Sequence, residues 1–443
     1  MKEVFLLQNR QLRKHFLKIL NENHIEDNAK LSKFKIRNSG KITPNDFLWL
    51  SCFSGHNLCT SSLEELCASL FLNKDIEVSP QALDQRINKT STEFLKSMFL
   101  TLCKNQSKHN HKAFKNWGFP KIFLMDSSEI RLPDKLKGHY KGFYKSNPSV
   151  LKINLLIELM NYSIENTVLT DATVNEHNFS NHIYDKLVLD SLVLKDLGYF
   201  KFDDFDEIES KNSFFISRLK AGTRLFTPNP NPEFNRNGKV LKKTKYLVTN
   251  AGELGKELEV GETKEFEFLV GSGEKKSLQR IILTKLGEDL YQKRLKDIEE
   301  RERKGKHCAK LSRDSVGVSG YITNLHGIIP LDIIEIYRLR WQIELLFKIF
   351  KSDFNLDKLK DLKVERIETH IYATLIRILL LMEITKGIKG GFSEEVSIRR
   401  VLKSSLGGLN NFLETLKNEE SFIRLFSKLE KIIDSKRKKV PSK

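Results

Sequence analysis

The stretch Tyr337-Arg338-Leu339-Arg340-Trp341-Gln342-Ile343-Glu344, continuing to Lys351, constrains this chain more than any other. Counted from Tyr337, residues Arg340, Glu344 and Lys351 fall three, seven and fourteen positions on. At 100° per residue those offsets are about 300°, 340° and 320°, so one continuous helix carries all four side chains on a single face. Pro330 suits the first turn of such a helix, which is predicted to run unbroken through Lys351. A second apolar helix, about Val364 to Ile384, is expected to pack against it. Spacing alone leaves two readings of the polar face: a solvated side with an Arg340 to Glu344 pair at i, i+4, or a binding site.

Charge narrows the partners. The chain has 443 residues, with 75 Lys and Arg against 57 Asp and Glu, a formal net charge of +18. So large a surplus calls for a polyanionic partner, and nucleic acid leads. A membrane surface could draw the same charge, but no apolar run reaches spanning length, even Ile371 to Ile384 being interrupted by Arg377 and Glu383, so membrane insertion is not expected and no membrane partner is assigned. Met1 to Lys18 mixes Leu and Phe with Lys and Arg and has neither an apolar signal core nor a small-residue cleavage site, so a cytoplasmic protein is expected. The five cysteines, Cys52, Cys59, Cys67, Cys103 and Cys308, have no paired metal-binding spacing and read as core fillers in a reducing compartment.

The length calls for more than one structural unit. Residues 1–118 read as helical, with apolar residues three and four apart at Leu63, Leu66 and Leu70 and again at Leu83 and Ile87. Ser61 and Ser62 cap one helix there, Asn73 to Asp75 form a turn, and Ser79 with Pro80 opens another helix to about Asn88. The pair reads either as a helix-turn-helix whose Gln81, Gln85 and Arg86 touch DNA or as an ordinary helical hairpin. From Lys121 the texture becomes β: Lys121 to Met125 ends in Asp126, Leu151 to Glu158 and Tyr162 to Thr170 follow, and Leu192 to Lys195 ends in Asp196. Residues 221–315 look like a β-rich insertion with Pro228, Pro230 and Pro232, closed by the basic run Tyr291 to Arg313, which is either a solvated charged helix or a phosphate contact. The expected division is 1–118, 119–220, 221–315, 316–390 and a C-terminal helical region with a basic tail at 391–443.

The Tyr337-Arg340-Glu344-Lys351 spacing resembles, at every position, the Tyr-Arg-Glu-Lys signature of DDE transposases from bacterial insertion sequences. Tyr321-Ile322-Thr323-Asn324-Leu325 before it, and Phe123-Leu124-Met125-Asp126-Ser127-Ser128 with Leu132-Pro133 after it, are similar to the same family, over roughly Phe34 to Glu383. The resemblance implies an α/β fold, a ribonuclease H-like catalytic core interrupted by a β-rich insertion, with a helical N-terminal DNA-binding domain. It implies that Asp126, Asp196 and Glu344 are catalytic and hold metal, and that Tyr337, Arg340 and Lys351 grip the phosphates of the element's end. Asp196 follows Asp126 by 70 residues and precedes Glu344 by 148, the second interval holding the insertion. Asp171, in Thr170-Asp171-Ala172-Thr173, competes for the second place but reads better as a turn after a strand.

The family's implied reaction is metal-dependent cleavage and strand transfer of insertion-sequence ends, by cut and paste in this branch and often through a DNA hairpin. Two Mg²⁺ ions, for which Mn²⁺ can substitute, suit carboxylate ligands. The implied partners are double-stranded DNA, as terminal inverted repeats and target, and a second copy of the chain; a bacterial, nucleoid-associated location accompanies them. A catalytically silent DNA-binding relative and a stand-alone metal-dependent nuclease are the alternatives, and the intact acids and signature argue against the first. Among other motifs, His109-Asn110-His111 reads as a polar loop, Gly271-Ser272-Gly273 as a hairpin turn without the Lys of a P-loop, and Trp341 as core packing in preference to base stacking.

Overall fold

Local capping sets the helices of the N-terminal third. Thr43 with Asp46 and Ser62 with Glu65 form reciprocal capping boxes that open α3 (Pro44–Cys52) and α4 (Leu63–Lys74). Ser79 caps α5 (Pro80–Arg86), and Asn88 caps α6 (Lys89–Lys104). With α1 (Lys2–Ile19) and α2 (Glu22–Leu31) they account for the helical reading of this region. The computed structural model describes residues 2–35, 40–107, 117–175, 177–305, 315–352, 354–356, 359–360, 362–387, 406–410 and 412–437. His109 to His111 and Cys308 lie outside them.

Two units divide the chain. The first comprises Met1–Trp117, Asp126–Asn175 and Ile343–Lys443. Its strands are the later part of β1 (Ile122–Arg131), β2 (Lys141–Tyr144), β3 (Asn147–Glu158) and β4 (Ser163–Asp171), with β3 antiparallel to both β2 and β4. Its helices are α1 to α6, most of α13 (Trp341–Ser352), α14 (Val364–Gly387), α15 (Phe412–Lys417) and α16 (Glu419–Arg437). The tail from Lys428, expected to be loosely patterned, is helical as far as Arg437. Helix α14 is buried along most of its length, between α6, α3 and α1. Phe34 stacks on Phe94 at 5.0 Å, and Phe16 meets Phe412 edge-on at 5.1 Å. Cys52 and Cys59 fill this core as expected, burial pushing both thiols up to about 12.

The second unit comprises Gly118–Met125 and Glu176–Gln342. The start of β1 and β6 (Phe214–Arg218) flank β5 (Leu192–Lys195), both in parallel. The sheet continues antiparallel through β11 (Val318–Thr323), β10 (Lys275–Lys285) and β9 (Thr263–Ser272) to β7 (Leu225–Pro228) and β8 (Tyr246–Thr249). Strands β7 to β10, from the stretch read as an insertion, therefore extend the same sheet as β5 and β6. Gly271 and Gly273 make the β9 to β10 turn; a Cβ on Gly271 would lie 2.2 Å from the carbonyl oxygen of Lys275. Helices α7 (His177–Tyr184), α8 (Phe202–Ser210), α9 (Ala251–Leu254), α10 (Glu288–Arg303) and α12 (Pro330–Arg338) complete the unit.

Two expectations fail here. Strand β1 does not end at Asp126 but continues to Arg131, so the acid sits inside the strand. The single long helix is two helices: Arg340 N donates to Tyr337 O at 3.0 Å and Gln342 N to Leu339 O at 3.0 Å, tight i to i+3 turns that interrupt the α-helical ladder. One face shared from Tyr337 to Lys351 therefore does not hold, although Glu344 and Lys351, seven apart in α13, still share theirs.

His370 in α14 is buried, and desolvation with the nearby Arg377 lowers its imidazole pKa from 6.5 to about 3. The unfolded chain takes up this proton below pH 6.5 while the folded chain stays neutral until about pH 3. Stability is thus full above 6.5 and falls through that window, at up to about 1.4 kcal/mol per pH unit. Urea unfolding at pH 7.5 and 5.0 should show the wild type losing about 2 kcal/mol more on acidification than His370→Leu.

Candidate functional site

In the second unit, β5 delivers Asp196. Its four residues are all buried, and the backbone leaves it extended before a 3-10 turn at Leu197–Tyr199, with Tyr199 N donating to Asp196 O at 3.0 Å. Lys195, immediately before the acid, is wholly buried, and its ammonium lies 2.5 Å from Asp204 on α8 and 5.6 Å over the Phe205 ring. Burial lowers the Lys195 pKa, and Asp204 opposes that shift. The Tyr184 hydroxyl of α7 hydrogen-bonds the same Asp204.

The signature residues of this unit gather at that strand end. Arg340 Nε is 3.6 Å from Asp196 Oδ1, and its guanidinium lies 5.9 Å from the Tyr337 ring. The Tyr337 hydroxyl donates to the Lys195 carbonyl at 3.3 Å. Tyr337 is only 7% exposed, and burial, then the nearby Asp196, raise its pKa against the pull of Arg340 and Arg218. Its ring is therefore covered, and its hydroxyl is engaged by the strand end that carries Asp196. Arg218 has no place in the sequence reading: β5 and β6 run parallel with Lys195 opposite Ser217, so Asp196, just past β5, and Arg218, the last residue of β6 and paired with Tyr321 of β11, lie at the same end of the sheet. Arg218 donates to the Tyr321 hydroxyl at 3.4 Å, and Tyr321 meets Tyr337 edge-on at 5.2 Å. The parallel pairing was the signal that locates it.

Beside Leu197 opens a cavity of about 360 Å³ whose wall includes Arg218, Lys220, Arg294 and Arg301 against a single acid, Asp297. Arg294 donates to the Val318 carbonyl at 2.8 Å, and burial, then Arg218, lower its pKa. Helix α10 has no buried residue, as the solvated reading predicted, yet two of its arginines face this cavity.

In the first unit, Asp126 is half-buried in β1 and its Oδ1 accepts the Ser127 amide at 2.8 Å. Glu344, also half-buried, lies on α13, and Lys351 seven residues on donates to the Glu129 carbonyl of β1 at 2.8 Å. That bond sets the polar face of α13 against the strand that carries Asp126. Trp341 is 50% exposed, so the core-packing expectation fails: it begins α13 where the ladder has just been interrupted. Asp171 behaves as the turn it was read to be, its Oδ1 accepting Thr173 N at 2.8 Å and Thr173 Oγ1 at 2.5 Å. In the candidate DNA reader, α4 and α5 form as expected, but Arg86 donates to the Phe34 carbonyl at 2.9 Å and stacks 3.6 Å over the Phe34 ring, a structural use.

The residues expected to hold metal, Asp126, Asp196 and Glu344, each present hard carboxylate oxygens, the ligand type that Mg²⁺ or Mn²⁺ takes. Among the described residues no group of three or more His, Cys, Asp or Glu is close enough together to hold a metal ion.

Residues 117–380 match the family described as "Transposase DDE domain". The transposase for insertion sequence element IS1151 of Clostridium perfringens is 33% identical over 364 residues, covering 81% of this chain and 77% of that one. The transposase for IS231F of Bacillus thuringiensis subsp. israelensis is 30% identical over 365 residues, covering 80% and 76%. Among solved structures, the cryo-EM piggyBac transposase synaptic complex with hairpin DNA aligns at a TM-score of 0.42 and 9% identity, over 98% of this chain and 82% of that one. No described helix is long and apolar enough to cross a membrane. With the transposase domain matched over more than half of this chain, and relatives 30–33% identical over about 80% of it, this chain belongs to the DDE transposases of bacterial insertion sequences.

Proposed function

We propose that the chain cuts its element's terminal inverted repeats and joins them to target DNA by cut and paste, with Asp126, Asp196 and Glu344 as the catalytic carboxylates of a ribonuclease H-like core. The observation that carries this reading is Asp196 at the end of β5 with the signature's Arg340 3.6 Å away. The three carboxylates would hold a pair of divalent ions, which when bound activate the attacking oxygen and stabilise the leaving one during in-line displacement at phosphorus. Hydrolysis breaks the phosphodiester at the element's end and frees a 3′-hydroxyl. That hydroxyl then attacks a target phosphodiester, so one P–O bond forms as another breaks.

The chain's own residues orient this chemistry. Lys195 and Tyr337 fix the peptide that precedes Asp196, one through its ammonium on Asp204 and the other through its hydroxyl on the Lys195 carbonyl. Arg340 and Lys351 supply cations for the phosphates of the cleaved end. Residues 1–118 serve as the DNA-binding domain and 221–315 as the insertion into the core. The active form is a homodimer on DNA in the bacterial cytoplasm, associated with the nucleoid.

Incubating the protein with Mg²⁺ and duplex carrying the element's ends tests the carboxylates. Asp126→Asn, Asp196→Asn and Glu344→Gln should each abolish nicking and strand transfer while end binding stays within about threefold, since charge is removed without added bulk. Asp171→Asn should cleave nearly as the wild type does. Exchanged results for Asp196 and Asp171 would move the second carboxylate to Asp171.

Salt titration of end binding separates the cations from Tyr337. Arg340→Ala and Lys351→Ala should each reduce the salt-dependence slope by about 1, with stability within about 1 kcal/mol of wild type. Tyr337→Phe should leave that slope unchanged and slow cleavage instead. A lower slope in Tyr337→Phe would make its hydroxyl a phosphate contact after all.

A further inference from the structure

Strand β2 and the segment leading into it hold two large aromatic side chains out in solvent. Phe143 is 64% and Tyr144 66% exposed, with ring centroids 6.5 Å apart at 57°. Around them Lys135, Lys137, Lys141 and Lys145 are exposed as well. Asp134, the one acid from Leu132 to Asn147, lies 3.9 Å from Arg131.

The base of this hairpin is firmly built. Leu136 and Tyr140 are buried, and the Tyr140 hydroxyl bonds Glu368 on α14. The Tyr140 carbonyl accepts Val150 N at 3.2 Å and Ser149 Oγ at 3.0 Å, and the Lys141 carbonyl accepts Ala172 N at 3.0 Å. At Gly142 a Cβ would fall 1.9 Å from the Asn147 carbonyl oxygen, so the two strands approach as closely as only glycine permits. The inward positions are therefore already filled by Leu136 and Tyr140, and packing does not account for Phe143 and Tyr144.

An exposed strand could pair with another protein chain, but β2 has four residues and lysines at and beside its ends, features that oppose edge-to-edge pairing. Lysines interleaved with exposed aromatic rings instead match a nucleic acid strand, whose phosphates take the cations and whose uncovered bases take the rings. Paired bases inside a duplex offer no free face for such stacking.

We propose that the Lys141–Tyr144 hairpin is a DNA-binding element selective for unpaired bases, stacking Phe143 and Tyr144 on them while the surrounding lysines hold the flanking phosphates. The inference rests on the proposed action on DNA and adds a contact outside the three carboxylates.

Fluorescence anisotropy of the full chain without divalent metal tests it, using a single-stranded oligonucleotide, a duplex with a central mismatched bubble, and the same duplex fully paired. Phe143→Ala/Tyr144→Ala, which removes two stacking rings, should weaken binding to the first two by about 30-fold or more. Binding to the paired duplex should change by less than about twofold, and the melting temperature should not move. Phe143→Tyr/Tyr144→Phe should retain the preference, and Lys141→Ala/Lys145→Ala should lower the single-strand salt slope by about 1.4. Equal losses on all three probes, no loss on any, or a change of sedimentation from dimer to monomer in the alanine variant would overturn the proposal, the last by making the hairpin a subunit contact. A wild-type chain that binds none of the probes would instead sink the proposed action on DNA.

Discussion

The ammonium of Lys195 has no access to water, and much of the second unit is arranged around that fact. A buried ion is tolerated only when paired and hydrogen-bonded, because its partner's removal leaves a charge in a poor medium, a loss of about 3–5 kcal/mol. Asp204 must therefore sit where β5 ends, which fixes α8 over the sheet, and Tyr184 of α7 shares the same carboxylate. Phe205, one residue along α8, stacks on Phe215 of β6 at 4.1 Å, so the helix is seated by an apolar contact as well as an ionic one. The Tyr337 hydroxyl then bonds the Lys195 carbonyl and ties α12 to the same residue. Helices α8 and α12 thus hold Lys195 directly, α7 braces it through Asp204, and the next residue in the chain, Asp196, inherits that fixed position.

The first unit solves a related problem along α14. Its Arg377 and Glu383 interrupt the apolar run in sequence, yet the structure does not turn them to solvent: Glu383 is fully buried, paired with Lys386 at 2.5 Å and accepting Ser107 N at 2.9 Å. Arg366 donates to the carbonyls of Leu58 and Ser61 at 2.7 and 2.8 Å, and Thr92 meets Thr369 at 3.1 Å. These polar side chains of a buried helix satisfy loops and a neighbouring helix, which apolar packing alone cannot do. The same residues that exclude a membrane span in the sequence thus lie within the packing of α14 and the N-terminal helices.

Features that depend on a few adjacent residues were legible beforehand. The Ser62 to Glu65 box, the Ser79-Pro80 helix start, the short apolar strand before Asp196 and the glycine turn at 271–273 each carry their own cause. The break at Leu339 and Arg340 was not, since neither residue disfavours a helix and the hydrogen bonds that replace the ladder are invisible in a spacing pattern. Nor was the length of β1: Ser127, Ser128 and Glu129 are poor strand signals, and their place in the sheet comes from neighbouring strands rather than from local preference. Tyr337 misled for a third reason. Its position on a polar helix face suggested solvent, but a neighbouring strand end, distant in sequence, covers it.

Position in the chain does not separate Asp196, the proposed second acid, from Asp171. Both lie at a strand's end, both are followed within three residues by a turn, and either would satisfy the order of a first and a last carboxylate. Their surroundings differ in kind. Asp171 bends back on its own turn, where Thr173 gives it two donors within 2.8 Å, so one of its oxygens is committed to a local hydrogen-bonded loop. Asp196 is 40% exposed at the side chain and faces a guanidinium instead, with Arg218 ending the neighbouring strand β6 at the same end of the sheet. A carboxylate set among fixed cations can present its charge without repelling a polyanion from a strongly basic protein, whereas one closed into a turn is spent on backbone geometry. That distinction belongs to side chains brought together by the sheet, from residues 196, 218 and 340, and no reading of consecutive positions contains it.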